Sequence, residues 1–393
     1  MTHVPMSYPD LSDAEREAIA AVMRTPNLSM GKEIQAFEAA FQAYLGCNYA
    51  IAVNSGTAAL HLCVRATGIS DGDLVITTPY SFVASANVIL FERAIPIFVD
   101  VEANSGNMDV ELLRQAVSDL AQGGFAAQRW MPRFYANSKS SLKAILPVDV
   151  FGQPADMDAI MAIAHHYGLK VIEDSCEALG SEYKGRKAGH LGDYGTFGFY
   201  PNKQITTGEG GMIVTDDEPA AALMLALRNQ GRAPGDTWLQ HTYLGYNYRL
   251  DELSAVIGRV QMERLDELLN KRQQVAEWYN ERIIEIPGLE IPHLSPNTNR
   301  TSWFVYVIRF DRSLDREVIA EELSKVGIPA RPYFIPIHLQ PYMVDRFGFH
   351  AGDFPVAEDI GKRSLALPFS GTMTESQVDY VYRHLVHIVE KFL

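Results

Sequence analysis

The chain has 393 residues, 47% hydrophobic and 21% charged, an ordinary globular profile with enough apolar material for a sizeable core. Lysine and arginine total 34 against 48 aspartates and glutamates, a net charge of −14 with no basic block. That balance argues against nucleic acid and anionic membrane surfaces as partners, although a local basic pocket can still hold a phosphate.

The length predicts one large domain and a smaller one. The opening MTHVPMSYPDLSDAEREAIAAVM lacks the basic-then-apolar layout of a signal peptide, and no run approaches the roughly eighteen apolar residues of a membrane span. Cys47, Cys63 and Cys176 are an odd count without CxxC spacing, which fits buried thiols in a reducing compartment. The expected location is the cytoplasm.

In chain order, SDAEREAIAAVM (12–23) and IQAFEAAFQAYLG (34–46) predict two helices. YAIAVN (49–54) predicts a strand, TAALHLCVRATG (57–68) a helix and DLVITT (73–78) a strand. SFVASANVILFER (81–93) predicts a helix and IPIFVDV (95–101) a strand. GGFAAQRWMPRFYANSKSS (123–141) breaks the rhythm as a surface excursion. KAILPVDVFG (143–152), ADMDAIMAIAHHYG (155–168) and LKVIEDS (169–175) then resume strand, helix, strand. Apolar strands alternating with helices predict an α/β fold with a mostly parallel sheet covered on both faces. Ligands of such sheets gather beyond the carboxyl ends of the strands.

From about residue 250 the pattern changes. Residues 250–283 read as one long amphipathic helical pattern, TSWFVYVIRF (301–310) as a strand, and DREVIAEELSKVG (315–327) as a helix ended by Gly327. Thr374 and Gln377 fit a capping box opening the last helix. We expect a large domain over 1–249 and a small α+β domain over 250–393.

Three places carry candidate chemistry. In NSGTAALHL, the small residues Ser55, Gly56, Thr57 and Ala58 open a helix after a strand, where unpaired amides favour an anion, or where Ser55 or Thr57 simply caps the helix. Glu173 and Asp174 end an apolar strand, where a carboxylate can pair with a cation or cap a helix. In GTFGFYPNKQITTGEGG (195–211), Lys203 stands alone among aromatics and glycines; a partly desolvated lysine can form a Schiff base with a carbonyl. Pyridoxal phosphate needs all three: a helix N-terminus for its phosphate, an Asp for its ring nitrogen and a Lys for its aldehyde. His165 and His166 share a predicted helix without a third ligand, so no metal is expected.

SGTAALHL, TPYSFVASAN, VIEDSCEALG, FYPNKQITTGEGGMIVT and LGYNYRLDELSAVIG resemble the DegT–StrS family of sugar aminotransferases, over nearly the whole chain. The resemblance implies the fold-type I architecture of pyridoxal phosphate enzymes, with a seven-stranded-type sheet and a smaller C-terminal domain. It implies transamination from an amino-acid donor, L-glutamate by family habit, to a keto group on a nucleotide-linked deoxysugar. Lys203 matches the lysine that carries the cofactor, and Asp174 the partner of its ring nitrogen. Gly56, Thr57 and Ala58 match the phosphate loop, and Phe82 the aromatic stacked on the ring. Asn247 matches a residue that reaches the neighbouring subunit's phosphate, implying a homodimer with composite sites. Arg249, Arg331, Tyr333 and His338 fall in segments that line the substrate cleft of relatives, although a hydrogen-bonded histidine near a strand end explains His338 equally well. Two positions depart from the family pattern: Gly198 replaces a phosphate-binding serine, and Glu177 replaces a glutamine beside the cofactor's 3′-oxygen. Alternatives are an aminocyclitol aminotransferase acting on a keto-inositol, and a non-catalytic cofactor-binding sensor. A family dehydratase would carry His in place of Lys203.

Overall fold

The computed structural model describes residues 4–136 and 140–393; residues 1–3 of the opening segment and 137–139 of the excursion lie outside the described residues. The chain enters through α1 (Asp13–Val22), started by a Ser12/Glu15 capping box, and α2 (Lys32–Leu45), ended by Gly46 at φ 74°. There follow β1 (Tyr49–Val53), α3 (Gly56–Ala66), β2 (Leu74–Thr77), α4 (Ala84–Phe91), β3 (Ile95–Phe98) and α5 (Val110–Gln122). The excursion contains a short α6 (Gly124–Gln128), after which come β4 (Leu142–Leu146), α7 (Met157–Tyr167) and β5 (Lys170–Asp174). A small hairpin, β6 (Glu182–Tyr183) and β7 (Arg186–Lys187), precedes β8 (Tyr194–Gly198), β9 (Gly211–Thr215) and α8 (Glu218–Arg228).

Seven of these strands form one sheet in the order β1-β9-β8-β5-β4-β2-β3. All run the same way except β9, which pairs antiparallel with β1 and β8. Alternation along β1 shows why the sheet is covered on both faces. Ile51 and Val53 pack with α3 and α8, whereas Ala50 and Ala52 pack with Phe37 and Phe41 of α2. The anticipated α/β layering is what forms, with the expected mostly parallel sheet of seven strands.

The long pattern over 250–283 forms two helices, α9 (Glu252–Glu263) and α10 (Leu265–Ile283), broken at Arg264 where the backbone turns to φ −101°, ψ 4°. Apolar spacing continues across the break, so periodicity hides it. The remaining elements are β10 (Leu289–Glu290), β11 (Thr298–Arg300), β12 (Tyr306–Phe310), α11 (Arg316–Lys325), β13 (Arg331–Pro332), α12 (Pro341–Phe347), α13 (Pro355–Arg363), β14 (Ser364–Leu367) and α14 (Glu375–Val389). α9 packs against α1 and α2, whereas α10 packs on α14. A second sheet, β10-β12-β14-β13, is antiparallel throughout and packs on α10, α11 and α14 around Tyr279, Ile308, Leu323 and Leu385. The strand expected over 301–310 begins only at Tyr306; residues 301–305 run irregularly, with Trp303 at φ 51°. Gly327 at φ 77° follows α11, and the Thr374/Gln377 box opens α14. No helix among the described residues is long and apolar enough to cross a membrane.

Candidate active site

A cavity of about 440 Å³ opens beyond the carboxyl ends of β1, β2, β5 and β8, the place where α/β sheets bind ligands. The α3 N-terminus, Asp174 and Lys203 all line it.

At the α3 end, the Ser55 hydroxyl accepts from the Ala58 amide, so Ser55 is the cap; the amides of Gly56 and Thr57 belong to the first turn, which lacks intrahelical acceptors. Gly56 permits a close approach, since a Cβ there would stand 3.0 Å from Cys176 Sγ and 3.3 Å from Gly198 Cα.

At the β5 end, alternation sends two adjacent carboxylates to opposite faces. Glu173 points away from the cavity and accepts from the Gly189, Leu191 and Gly192 amides. Asp174 faces the cavity, accepting from the Ser85 hydroxyl at 2.7 Å and the Cys176 amide at 3.2 Å. Ser85 is itself 3.1 Å from the Ser81 hydroxyl. Burial pushes the Cys176 thiol well above its ordinary range, and the Asp174 charge adds to it.

Lys203 sits on the loop between β8 and β9. The loop is closed by Phe199 N–H donating to the Gly210 carbonyl and by Thr206 Oγ1 donating to the Phe199 carbonyl. The Lys203 side chain is 14% exposed. Its Nζ lies 3.7 Å from the centre of the Phe304 ring and 3.6 Å from Glu177 Oε1. The other Glu177 oxygen accepts from the Phe151 amide at 2.9 Å. Burial pushes Glu177 above the usual carboxylate range, which the Lys203 charge and that amide only partly oppose. Burial likewise raises the Tyr333 hydroxyl to about 12, with the Glu177 charge next in effect.

Of the residues singled out in the sequence, Gly56, Thr57, Phe82, Asp174, Glu177, Gly198, Lys203 and Tyr333 line this one cavity. Ala58 is buried one residue inside α3 and donates to the cap. The other four do not line it. Asn247 is exposed, its carbonyl accepting from Asn54 Nδ2, and Arg249 donates to Asn229. Arg331 is exposed on β13. His338, for which the sequence left a cleft role and a hydrogen-bonded structural role equally open, is fully buried, its Nε2 3.0 Å from Glu358 Oε1, because the tight helical turn 337–339 packs inward against Phe354. Sequence reasoning missed Ser85 and Phe304. Ser81 and Ser85, four residues apart after β2, were a readable signal for the first; nothing local marks the second.

The residues present fit pyridoxal phosphate. First-turn amides of α3 at the edge of the cavity suit the phosphate. A buried carboxylate already fixed by two donors suits a protonated ring nitrogen, and the partly buried amine suits the aldehyde.

Comparison with known proteins agrees. Residues 9–386 match the DegT/DnrJ/EryC1/StrS aminotransferase family. The chain is 36% identical over 393 residues to GDP-perosamine synthase of Caulobacter vibrioides, covering 99% of each. Among solved structures, it superposes on a DegT/DnrJ/EryC1/StrS aminotransferase from Brucella abortus with a TM-score of 0.85 at 29% identity, covering 95% of this chain and 94% of that one. Helicobacter pylori PseC, an aminotransferase involved in pseudoaminic acid biosynthesis, superposes over the whole of both chains with a TM-score of 0.88 at 27% identity.

Proposed function

Because this chain belongs to the DegT/DnrJ/EryC1/StrS aminotransferase family, we propose that it passes an amino group from L-glutamate to a keto group of a nucleotide-linked deoxysugar. The class and cofactor, a transaminase dependent on pyridoxal phosphate, come with the family; the donor and the sugar are the proposal. One observation carries it: the α3 N-terminus, Asp174 and Lys203, remote in sequence, line a single cavity.

When bound, the cofactor supplies an aldehyde and an electron-withdrawing ring that acidify the proton on the amine-bearing carbon. In this reading Gly56, Thr57 and the backbone of Gly198 hold the phosphate, and Phe82 covers a ring face. Asp174 keeps a proton on the ring nitrogen, oriented by the Ser85 hydroxyl and the Cys176 amide. Lys203 Nζ would hold the cofactor's aldehyde carbon and, as a free amine, would take the proton from the donor carbon as general base and deliver it to the former aldehyde carbon as general acid. Glu177 Oε1, 3.6 Å from that amine, would stand beside the bound cofactor. Tyr333, on the cavity wall, contacts substrate, and Arg331 and Arg249 reach it only if loops or a second subunit bring them in.

A homodimer with composite sites is part of the proposal. Phe82 and Tyr200 line the cavity yet are 62% and 55% exposed, which supports a second copy closing it. Asn247, exposed and outside its own cavity, suits a role in the partner's site. A cytoplasmic location is supported by three unpaired cysteines.

The test is a panel of amino-sugar nucleotides and amino-inositols run in reverse with 2-oxoglutarate as acceptor. Glutamate formation from at least one 4- or 3-amino sugar nucleotide is expected. Turnover confined to amino-inositols would favour the aminocyclitol reading, and cofactor binding without any turnover the sensor.

A further inference from the structure

Arg272, in the middle of α10, is 5% exposed, and its guanidinium meets backbone carbonyls on two sides. Nη2 donates to the carbonyls of Asn202 at 3.1 Å and Lys203 at 2.5 Å. Nη1 donates to the carbonyls of Trp303 at 3.1 Å and Phe304 at 3.3 Å. The nearby carboxylate of Asp10 is taken up by Arg264 and Lys271 instead.

A buried charge without an ion-pair partner is costly, and its retention asks for a purpose. The four carbonyls it bridges belong to two segments remote in sequence. One carries the Lys203 amine; the other carries the Phe304 ring lying 3.7 Å from that amine. Both segments are irregular backbone, the β8–β9 loop and the stretch before β12, so neither has a strand ladder to fix it. Only a planar fork with five donors can serve two carbonyl pairs at once; an ammonium is a point with three.

We propose that Arg272 is the positioning residue for Lys203: one guanidinium pins the backbone of the lysine and the backbone of the aromatic that packs on its amine, fixing where the amine stands in the cavity. This rests on the reading that Lys203 is the reactive amine.

The test uses the full chain freed of cofactor. Lys203 labelling by trinitrobenzenesulfonate is followed by peptide mass spectrometry in wild type, Arg272→Ala and Arg272→Lys, with folding checked by cooperative thermal melting. Release of the loop should expose the amine and speed labelling of Lys203 about tenfold in Arg272→Ala, as expected when a local tether worth roughly one hydrogen-bonded charge is lost. Arg272→Lys should fall between the two. Millimolar guanidinium chloride, but not sodium chloride, should slow labelling of Arg272→Ala back towards wild type by refilling the site. Wild-type labelling in both folded variants, or absence of guanidinium rescue, would overturn the proposal. So would failure of both variants to fold, which would make Arg272 a support of the whole fold. Failure of the Lys203 reading would show differently, as wild-type protein that takes up pyridoxal phosphate on some other lysine.

Discussion

At the scale of single residues, the two departures from the family pattern make opposite predictions. A Cβ at Gly198 would meet Cys176 at 3.6 Å, ordinary contact, and its φ is not in the left-handed region, so serine fits there. Gly198→Ser should add a hydroxyl beside the α3 amides and slow loss of pyridoxal phosphate on dialysis about fivefold, the worth of one hydrogen bond of about 1 kcal/mol. Glu177 is the reverse case, a carboxyl that burial holds above its ordinary range. Such a group favours folding when protonated, and that benefit is lost as pH rises from the ordinary carboxylate range through its raised folded value. Glu177→Gln removes this titration. Its melting temperature relative to wild type should therefore increase as pH is raised from about 4 to about 8; a constant difference would mean that Glu177 titrates as an ordinary glutamate. Lys203 and Asp174 were legible in the sequence because each sits at a strand end or in an isolated polar setting. The Glu173 direction was not, because two adjacent carboxylates look alike until alternation assigns their faces. Arg272 left no trace at all: its partners are backbone carbonyls about 30 and 70 positions away in the chain.

At the scale of elements, strand and helix succession was readable because buried parallel strands are continuously apolar and their helices keep a polar face. What periodicity could not show was the break at Arg264, which lies at a position where the apolar stripe simply continues. The break is held by one neighbouring side chain and two from far away. Arg264 donates to Asp10, Glu15 and Glu267, joining the start of α1 to the α9–α10 corner. Glu15 is 1% exposed; burial would raise it, but hydrogen bonds from Ser12, Gln261 and Arg264 lower it to about 2. A depressed carboxylate stabilises the fold above its unfolded value, and the benefit is lost as pH falls through the folded value. The stability gap between wild type and Glu15→Gln should accordingly close as pH drops from about 4.5 to about 2, measured by urea unfolding. Arg264→Ala should cost about 3 kcal/mol at neutral pH, because it strands a buried carboxylate; a loss below about 1 kcal/mol, the worth of a surface pair, would contradict that.

At the scale of the whole molecule, the division into 1–249 and 250–393 remains a proposal, supported by the second sheet and the helices on it lying wholly in the later part. The composite-site dimer makes a sharper claim. Light scattering should give twice the 43.8 kDa chain mass. Mixed subunits of Lys203→Ala and Asn247→Ala should regain about a quarter of the wild-type sites, since half of random dimers are mixed and each has one intact site. Mixtures no more active than the separate variants would mean that each chain completes its own site. Every part of this mechanism depends on Lys203 being the covalent seat of pyridoxal phosphate. Borohydride reduction of the loaded protein, with digestion and peptide mass spectrometry, tests that directly. The pyridoxyl mass is expected on the peptide bearing Lys203 and should disappear in Lys203→Ala. The same mass on another lysine, or on none, would contradict it.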